Sequence, residues 1–203
     1  MGSTGKSGVR AVRRGASARV LRIIGGTWRG RKLRFPDGAG IRPTPDRVRE
    51  TLFNWLGARL PGTRCLDLFA GSGALGLEAL SRGAAHVTFV EQEARAAREL
   101  ALRLIEWEAQ GGRVARADAL RFLAGTAEAY DLVFLDPPFD SGLLARSAAA
   151  LAAHAWLSPG ALIYVEAGAR GELPSLPAQW RLLKPKQAGE VGYYLFAHAG
   201  ADA

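Results

Sequence analysis

The chain has 203 residues, a mass of 21.6 kDa, 48% hydrophobic and 23% charged residues, the proportions of one ordinary globular domain with room for a small appendage. A single cysteine, Cys65, excludes an internal disulfide and a cysteine-built zinc site, and His86, His154 and His198 have neither metal-ligand nor triad spacing, so no metal is expected. No apolar stretch reaches the roughly 18 residues of a membrane span, and the basic N-terminus lacks the apolar run of a secretory signal, which points to a reducing cytoplasm. The net charge of +8 is uneven: residues 1–50 hold 13 Lys/Arg against 3 Asp/Glu, a net of +10, whereas residues 51–203 hold 14 against 16. A basic segment joined to a near-neutral domain is the footprint of a polyanion binder, with a solvated tail as the plain alternative.

Residues 1–19 carry Gly, Ser, Ala and Arg with little apolar content and are expected to form a disordered basic arm. Val20 to Phe35 alternates apolar and basic residues around Gly25-Gly26, the pattern of a small hairpin or ribbon. Arg22, Arg29, Arg31, Lys32 and Arg34 would decorate it with Trp28 among them, a set suited to phosphate contact and base stacking, or simply to keeping an edge ribbon from aggregating. A helix then opens at Arg42-Pro43-Thr44-Pro45-Asp46, with Thr44 as N-cap, Pro45 in the first turn and Asp46 at the positive end of the dipole. Val48, Leu52, Trp55 and Leu56 form its apolar stripe; Arg47, Arg49 and Asn54 lie off it, and Arg47 joins the basic set.

From Arg64 onward strands alternate with helices. Strands are expected at Cys65–Phe69, His86–Glu91, Arg113–Ala117, Asp131–Leu135 and Ala161–Glu166, with helices at Ala74–Ser81 and over 93–108, 119–124 and 143–153. Strands at 180–184 and 191–198 read as a closing hairpin, and Pro174 to Pro177 as a loop. This alternation implies an α/β fold built on a doubly wound, mostly parallel sheet.

Asp131–Leu135 reads as a buried central strand, and Asp136-Pro137-Pro138-Phe139 follows at its carboxyl end, where open α/β sheets bind their ligands. A carboxylate, a proline carbonyl and an aromatic face suit a planar base with an exocyclic amino group. Asp136 and the Pro137 carbonyl could accept its two N–H bonds while Phe139 stacks on the ring. Upstream, Gly71, Gly73 and Gly76 match G-x-G-x-x-G between strand and helix, a pattern that serves NAD, FAD and S-adenosylmethionine alike. Glu91, ending the next strand, fits a carboxylate on ribose hydroxyls. Asp67 is awkward beside a dinucleotide pyrophosphate but welcome beside the cationic amino-acid part of S-adenosylmethionine. Asp118 is placed either to accept from an adenine amino group or to cap a helix, and Phe69, Ala70, Ser72 and Ala119 complete the expected cofactor contacts. The chemistry would be an in-line methyl displacement driven by proximity and orientation, without a metal. Glu166 could line the pocket or merely end the sheet, and Lys184, Lys186, Tyr193 and Tyr194 could support RNA or play ordinary surface and strand roles.

These residues resemble a known family, the bacterial 16S ribosomal RNA guanine-N2 methyltransferases that modify guanine 966. The matching stretches are Arg22 to Gly26, Trp28 to Leu33, Arg42-Pro43-Thr44, Asp46 to Leu56, Asp67 to Arg82, Asp136 to Phe139, Ala161 to Glu166 and Gly192-Tyr193-Tyr194. The glycine loop and the Asp136 tetrapeptide are shared with DNA amino-methyltransferases, whereas the two N-terminal stretches are specific to the ribosomal family. The resemblance implies a Rossmann-like methyltransferase fold with a seven-stranded, mostly parallel sheet and a closing antiparallel strand, and S-adenosylmethionine as donor. Its implied substrate is 16S rRNA in the small ribosomal subunit, with the protein expected as a monomer. It places Arg42, Pro43, Thr44 and Asn54 near the cofactor or target base. The chain is expected to divide into an arm (1–19), which matches nothing in the family, an RNA-contacting hairpin and helix (20–60) and a methyltransferase domain (61–203). Glu93 stands where relatives often have Asp. Two other classes fit the residues less well: a DNA adenine or cytosine amino-methyltransferase, which usually carries a large target-recognition insertion, and a non-catalytic RNA-binding assembly factor that keeps the fold.

Overall fold

The structure, a computed structural model, describes residues 18–36, 44–139, 141–169 and 173–199. The expected arm therefore lies outside the described residues up to position 17, and Ala18 and Arg19 already belong to a strand. Strands β1 (Ala18–Arg22) and β2 (Lys32–Pro36) pair antiparallel, with Arg22 opposite Lys32 and Val20 opposite Arg34. The predicted hairpin is present, closed by a nine-residue connection over 23–31 rather than a tight turn at Gly25-Gly26.

Helix α1 (Asp46–Leu56) follows, then β3 (Arg64–Asp67), α2 (Ala74–Ser81), β4 (His86–Glu91), α3 (Ala94–Glu106), β5 (Gly112–Arg116), α4 (Ala119–Leu123), β6 (Tyr130–Leu135), α5 (Leu143–Ala153), β7 (Leu157–Gly168), β8 (Trp180–Ala188) and β9 (Val191–His198). The sheet order is β5-β4-β3-β6-β7-β9-β8. Strands β3 to β7 pair parallel; β9 runs antiparallel to both β7 and β8, so it is the one reversed strand, inserted inside the edge of the sheet. Strand β7 begins four residues earlier than its apolar run predicts, and β8 extends four residues further than expected along the edge, through Pro185.

Side chains alternate across each strand, so one sequence feeds two cores. Cys65, Leu132 and Phe134 face α1, α2 and α3, whereas Leu66, Val133 and Leu135 face α4 and α5. Both faces being covered explains why β6 is apolar from Leu132 to Leu135. Burial pushes the Cys65 thiol up to about 12, as expected for an inert core residue.

Two expectations for α1 are corrected. Thr44 does not cap the helix: Pro45 holds the cap position without a side-chain bond, and the Thr44 hydroxyl turns to the carboxylates at the strand ends. Arg49, placed off the apolar stripe, is fully buried, because its guanidinium donates to the Arg22 carbonyl at 2.8 Å and to Asp46 at 2.6 Å and lies 3.6 Å from Glu78. Charge satisfaction, invisible to apolar periodicity, decides that face of α1.

Candidate active site

Order reverses between β3 and β6, the switch point at which open α/β sheets bind ligands. A cavity of about 470 Å³ opens there, over the carboxyl ends of β3, β4, β6 and β7. Phe69, Ala70, Gly71 and Ser72 form one wall with Asp67 and Glu91; Asp118 and Ala119 close one end; Asp136, Pro137, Pro138 and Phe139 stand at the other with Thr44 and Glu166.

The glycine loop is held by its own neighbours. Ala70 donates its backbone N–H to Val90 at 3.0 Å, and Gly73, in the left-handed region at φ 78°, donates to the Ala70 carbonyl at 2.7 Å and starts α2. A Cβ on Gly73 would sit 2.5 Å from Leu100 Cδ1, and one on Gly76 would collide with Phe89, so these two glycines serve packing of α2 on the sheet. Gly71, at φ 51°, is the one that fronts the cavity, which a ligand's close approach requires.

Glu91 links this loop to the next strand. Its Oε2 accepts the Gly71 backbone N–H at 2.8 Å and its Oε1 that of Glu93 at 2.7 Å. Glu93 itself caps α3, accepting from Arg95 and Ala96 at 2.9 and 2.6 Å, bonds that hold its carboxyl below the usual range. Asp118 does the same for α4, taking Leu120 and Arg121 N–H on Oδ1 at 3.0 and 3.1 Å while it lines the cavity; of its two expected roles, the cap is the one made here.

Asp67 is buried, with Oδ2 accepting the Gly76 N–H at 3.0 Å. Desolvation pushes its carboxyl up to about 7, the Gly76 bond opposing and the Glu91 charge adding. Such a group ionises readily once a cation arrives, which fits an ammonium-bearing ligand.

Asp136 follows β6 directly. Its carboxyl lies well above the ordinary range, through desolvation first, then the charges of Glu166 and Asp67, with the Thr44 bond working the other way. The Thr44 Oγ1 lies 3.3 Å from Asp136 Oδ2 and 2.8 Å from Glu166 Oε1, and the same Glu166 oxygen accepts the Tyr164 hydroxyl at 2.8 Å. Desolvation raises Glu166 too, against the Thr44 and Tyr164 bonds. Glu166 thus belongs to the cavity rather than merely ending β7. Its position after Tyr164-Val165 at the carboxyl end of β7 was the available signal.

The remaining candidates divide. Phe139 stands on the cavity rim, 37% exposed, with its ring beside Gly168. Asn54 is exposed and lines a separate groove with Gly26, Phe53 and Arg82, away from the cavity, because it lies on the outward face of α1. Arg42 and Pro43 lie outside the described residues. Arg22, Arg29, Arg31, Lys32 and Arg47 are exposed, Arg34 lies on β2, and Trp28 turns inward, 5.3 Å from the Trp107 ring, so it helps seat the ribbon instead of standing free for a base. Among the described residues no acid and histidine cluster could hold a metal ion, and no helix is long and apolar enough to cross a membrane.

A seven-stranded sheet with this order, one reversed strand and a glycine loop at the switch point define a Rossmann-like methyltransferase fold. The chain belongs to the family described as Conserved hypothetical protein 95, which matches residues 21–197. It is 50% identical over 176 residues to "Ribosomal RNA small subunit methyltransferase D" of Escherichia coli strain K12, covering 87% of this chain and 89% of that one. The Haemophilus influenzae protein of the same name is 45% identical over 180 residues, covering 87% and 93%. The solved structure of an Escherichia coli candidate methyltransferase, yhhF, superposes with a TM-score of 0.84 at 47% identity, covering 89% of this chain and 99% of that one. The chain is accordingly a methyltransferase.

Proposed function

We propose that this enzyme transfers a methyl group from S-adenosylmethionine to the exocyclic N2 of guanine 966 in 16S rRNA, within the small ribosomal subunit in the cytoplasm. The observation that carries the reading is one cavity holding both a glycine-loop cradle with Asp67 and Glu91 and, beside it, the Asp136-Pro137-Pro138-Phe139 rim. S-adenosylmethionine supplies an electrophilic methyl on a cationic sulfur. The donor set fits it: Asp67 would hold the amino-acid ammonium, Glu91 the ribose hydroxyls and Asp118 the adenine amino group, and Gly71 would let the backbone approach.

Asp136 and the Pro137 carbonyl accept the two N–H bonds of the guanine amino group, favouring a pyramidal nitrogen whose lone pair faces the methyl. Phe139 stacks on the base and fixes its plane. Rate then comes mainly from proximity and orientation, with the carboxylate stabilising the cationic amine as it forms. The exposed cations of the ribbon, with Arg47, contact phosphates and bring the base to the rim. The choice of guanine 966 rests on the relatives' names and the N-terminal resemblance, not on cavity geometry. Mass spectrometry of 16S rRNA from cells lacking the protein tests it: loss of N2-methylguanine at that position supports the reading, and an unchanged modification pattern refutes it.

A further inference from the structure

Thr44 has one hydroxyl hydrogen and two carboxyl neighbours. The two contacts compete for it: the one to Glu166 Oε1, at 2.8 Å, is the shorter, which leaves the 3.3 Å contact to Asp136 Oδ2 open to a hydrogen carried by Asp136. Glu166 Oε1 accepts two hydroxyl bonds, from Thr44 and Tyr164, as an ionised carboxylate does. We propose that Asp136 and Glu166 share a single proton across Thr44, held at rest on Asp136, and that the enzyme gives up this proton when it takes in the sulfonium cation of its methyl donor and regains it from the methylated amine.

The surroundings support one proton rather than none. Facing Asp136 are Thr44 before α1, Asp67 at the end of β3, and Glu166 and Tyr164 on β7; Tyr193 on β9 adds to Tyr164, and Glu91 on β4 to Asp67. Among the described residues, all of these that titrate are acids, and none of the ion pairs includes them. Two neighbouring carboxylates without a cation do not both ionise. The upward displacement of both carboxyls agrees.

The cycle balances. A positive charge enters and a proton leaves Asp136, which frees its carboxylate to accept the substrate N–H. In transfer the C–S bond breaks with its electrons staying on sulfur, a C–N bond forms from the amino lone pair, and Asp136 takes the surplus N–H proton. The cavity then holds a neutral thioether and a neutral acid, as before binding. Asp136 is the catalytic residue, while Thr44 and Glu166 are positioning residues that set where its proton sits.

The inference rests on the proposed donor, and calorimetry separates the two. Titrating the full chain with S-adenosylmethionine and with its neutral product S-adenosylhomocysteine, at pH near 6.5 in buffers of different ionisation enthalpy, gives the protons released by each. Any release from Asp67 toward the shared ammonium is common to both ligands and cancels. The expected difference is on the order of one proton, lost in Glu166→Gln and in Asp136→Asn and kept in Thr44→Ser. Glu166→Gln also shifts the acidic limb of the methyl-transfer pH profile downward, which a purely structural role would leave in place. Equal release for both ligands in the wild type, or an unchanged difference in Glu166→Gln, overturns the shared proton. Failure of either ligand to bind overturns the reading of the cavity beneath it.

Discussion

Glu78 of α2 accepts the backbone N–H of Gly25 at 2.8 Å, and its other oxygen accepts that of Ile24 at 2.7 Å. The basic ribbon is thereby bonded, through its own backbone, to the helix that the glycine loop begins. Arg82 donates to the same carboxylate at 2.7 Å, and the Ser81 hydroxyl accepts the Trp28 backbone N–H and donates to the Gly25 carbonyl. The cations of the ribbon are presented on a fixed mount rather than on a loose hairpin.

Removing that mount should be costly. Glu78 is fully buried beside fully buried Arg49, so Glu78→Ala leaves a guanidinium short of charge and is expected to destabilise the fold by roughly 3–5 kcal/mol. Chemical denaturation with the linear extrapolation reads this directly.

A gentler test of the same mount is Gly26. It lies at φ 75°, and a Cβ there would collide with the Ser81 carbonyl. Gly26→Ala should displace the ribbon from α2 while leaving the donor cavity intact. RNA affinity is expected to fall several-fold with binding of S-adenosylmethionine unchanged, as measured by filter binding and calorimetry on the same preparation. Equal affinity for RNA would detach the ribbon from recognition.

Stability should depend on pH through Asp67. Its folded value of about 7 lies above the ordinary 3.8, so the folded state holds more protons across that interval. The stabilisation is complete below about pH 4, is lost as pH rises through about 7, and amounts to a few kcal/mol in order of magnitude. Urea midpoints of the ligand-free protein should therefore fall between about pH 4 and 7 and level off above, and Asp67→Asn should flatten that slope.

Glu91→Ala removes both the carboxylate proposed for the ribose and the Gly71 tether. Affinity for S-adenosylmethionine should drop roughly 10- to 100-fold, the worth of one or two charge-assisted hydrogen bonds. Melting temperature should change little, since Glu91 is only half-buried.

Most strands were legible because β6 and β7 are apolar runs and the glycine loop marks where β3 meets α2. The cavity's floor follows from strand ends alone, so the sequence itself brings Asp67, Glu91 and Asp136 together. What periodicity misses is charge burial and hydroxyl geometry. Arg49 lies off the apolar stripe, and its burial is hidden from periodicity because two of its partners, Glu78 and the Arg22 carbonyl, are 29 and 27 positions away in the chain. Thr44 looked like a cap because local chemistry favours it there, yet a carboxyl 122 residues away takes its hydrogen. Asn54 and Trp28, expected near ligand, face away from the donor cavity or into the protein.

In the proposed mechanism, Asp136 turns its hold on an amino group into methylation of small-subunit RNA. Purified wild type and Asp136→Ala, each given labelled S-adenosylmethionine and small subunits from cells lacking the protein, test it most directly. The wild type should place one methyl group on N2 of guanine 966, and the variant should bind the donor yet transfer at least a hundredfold more slowly, the scale of losing one electrostatic group at a reacting centre. Transfer by Asp136→Ala at the wild-type rate, or label on another base, would contradict it.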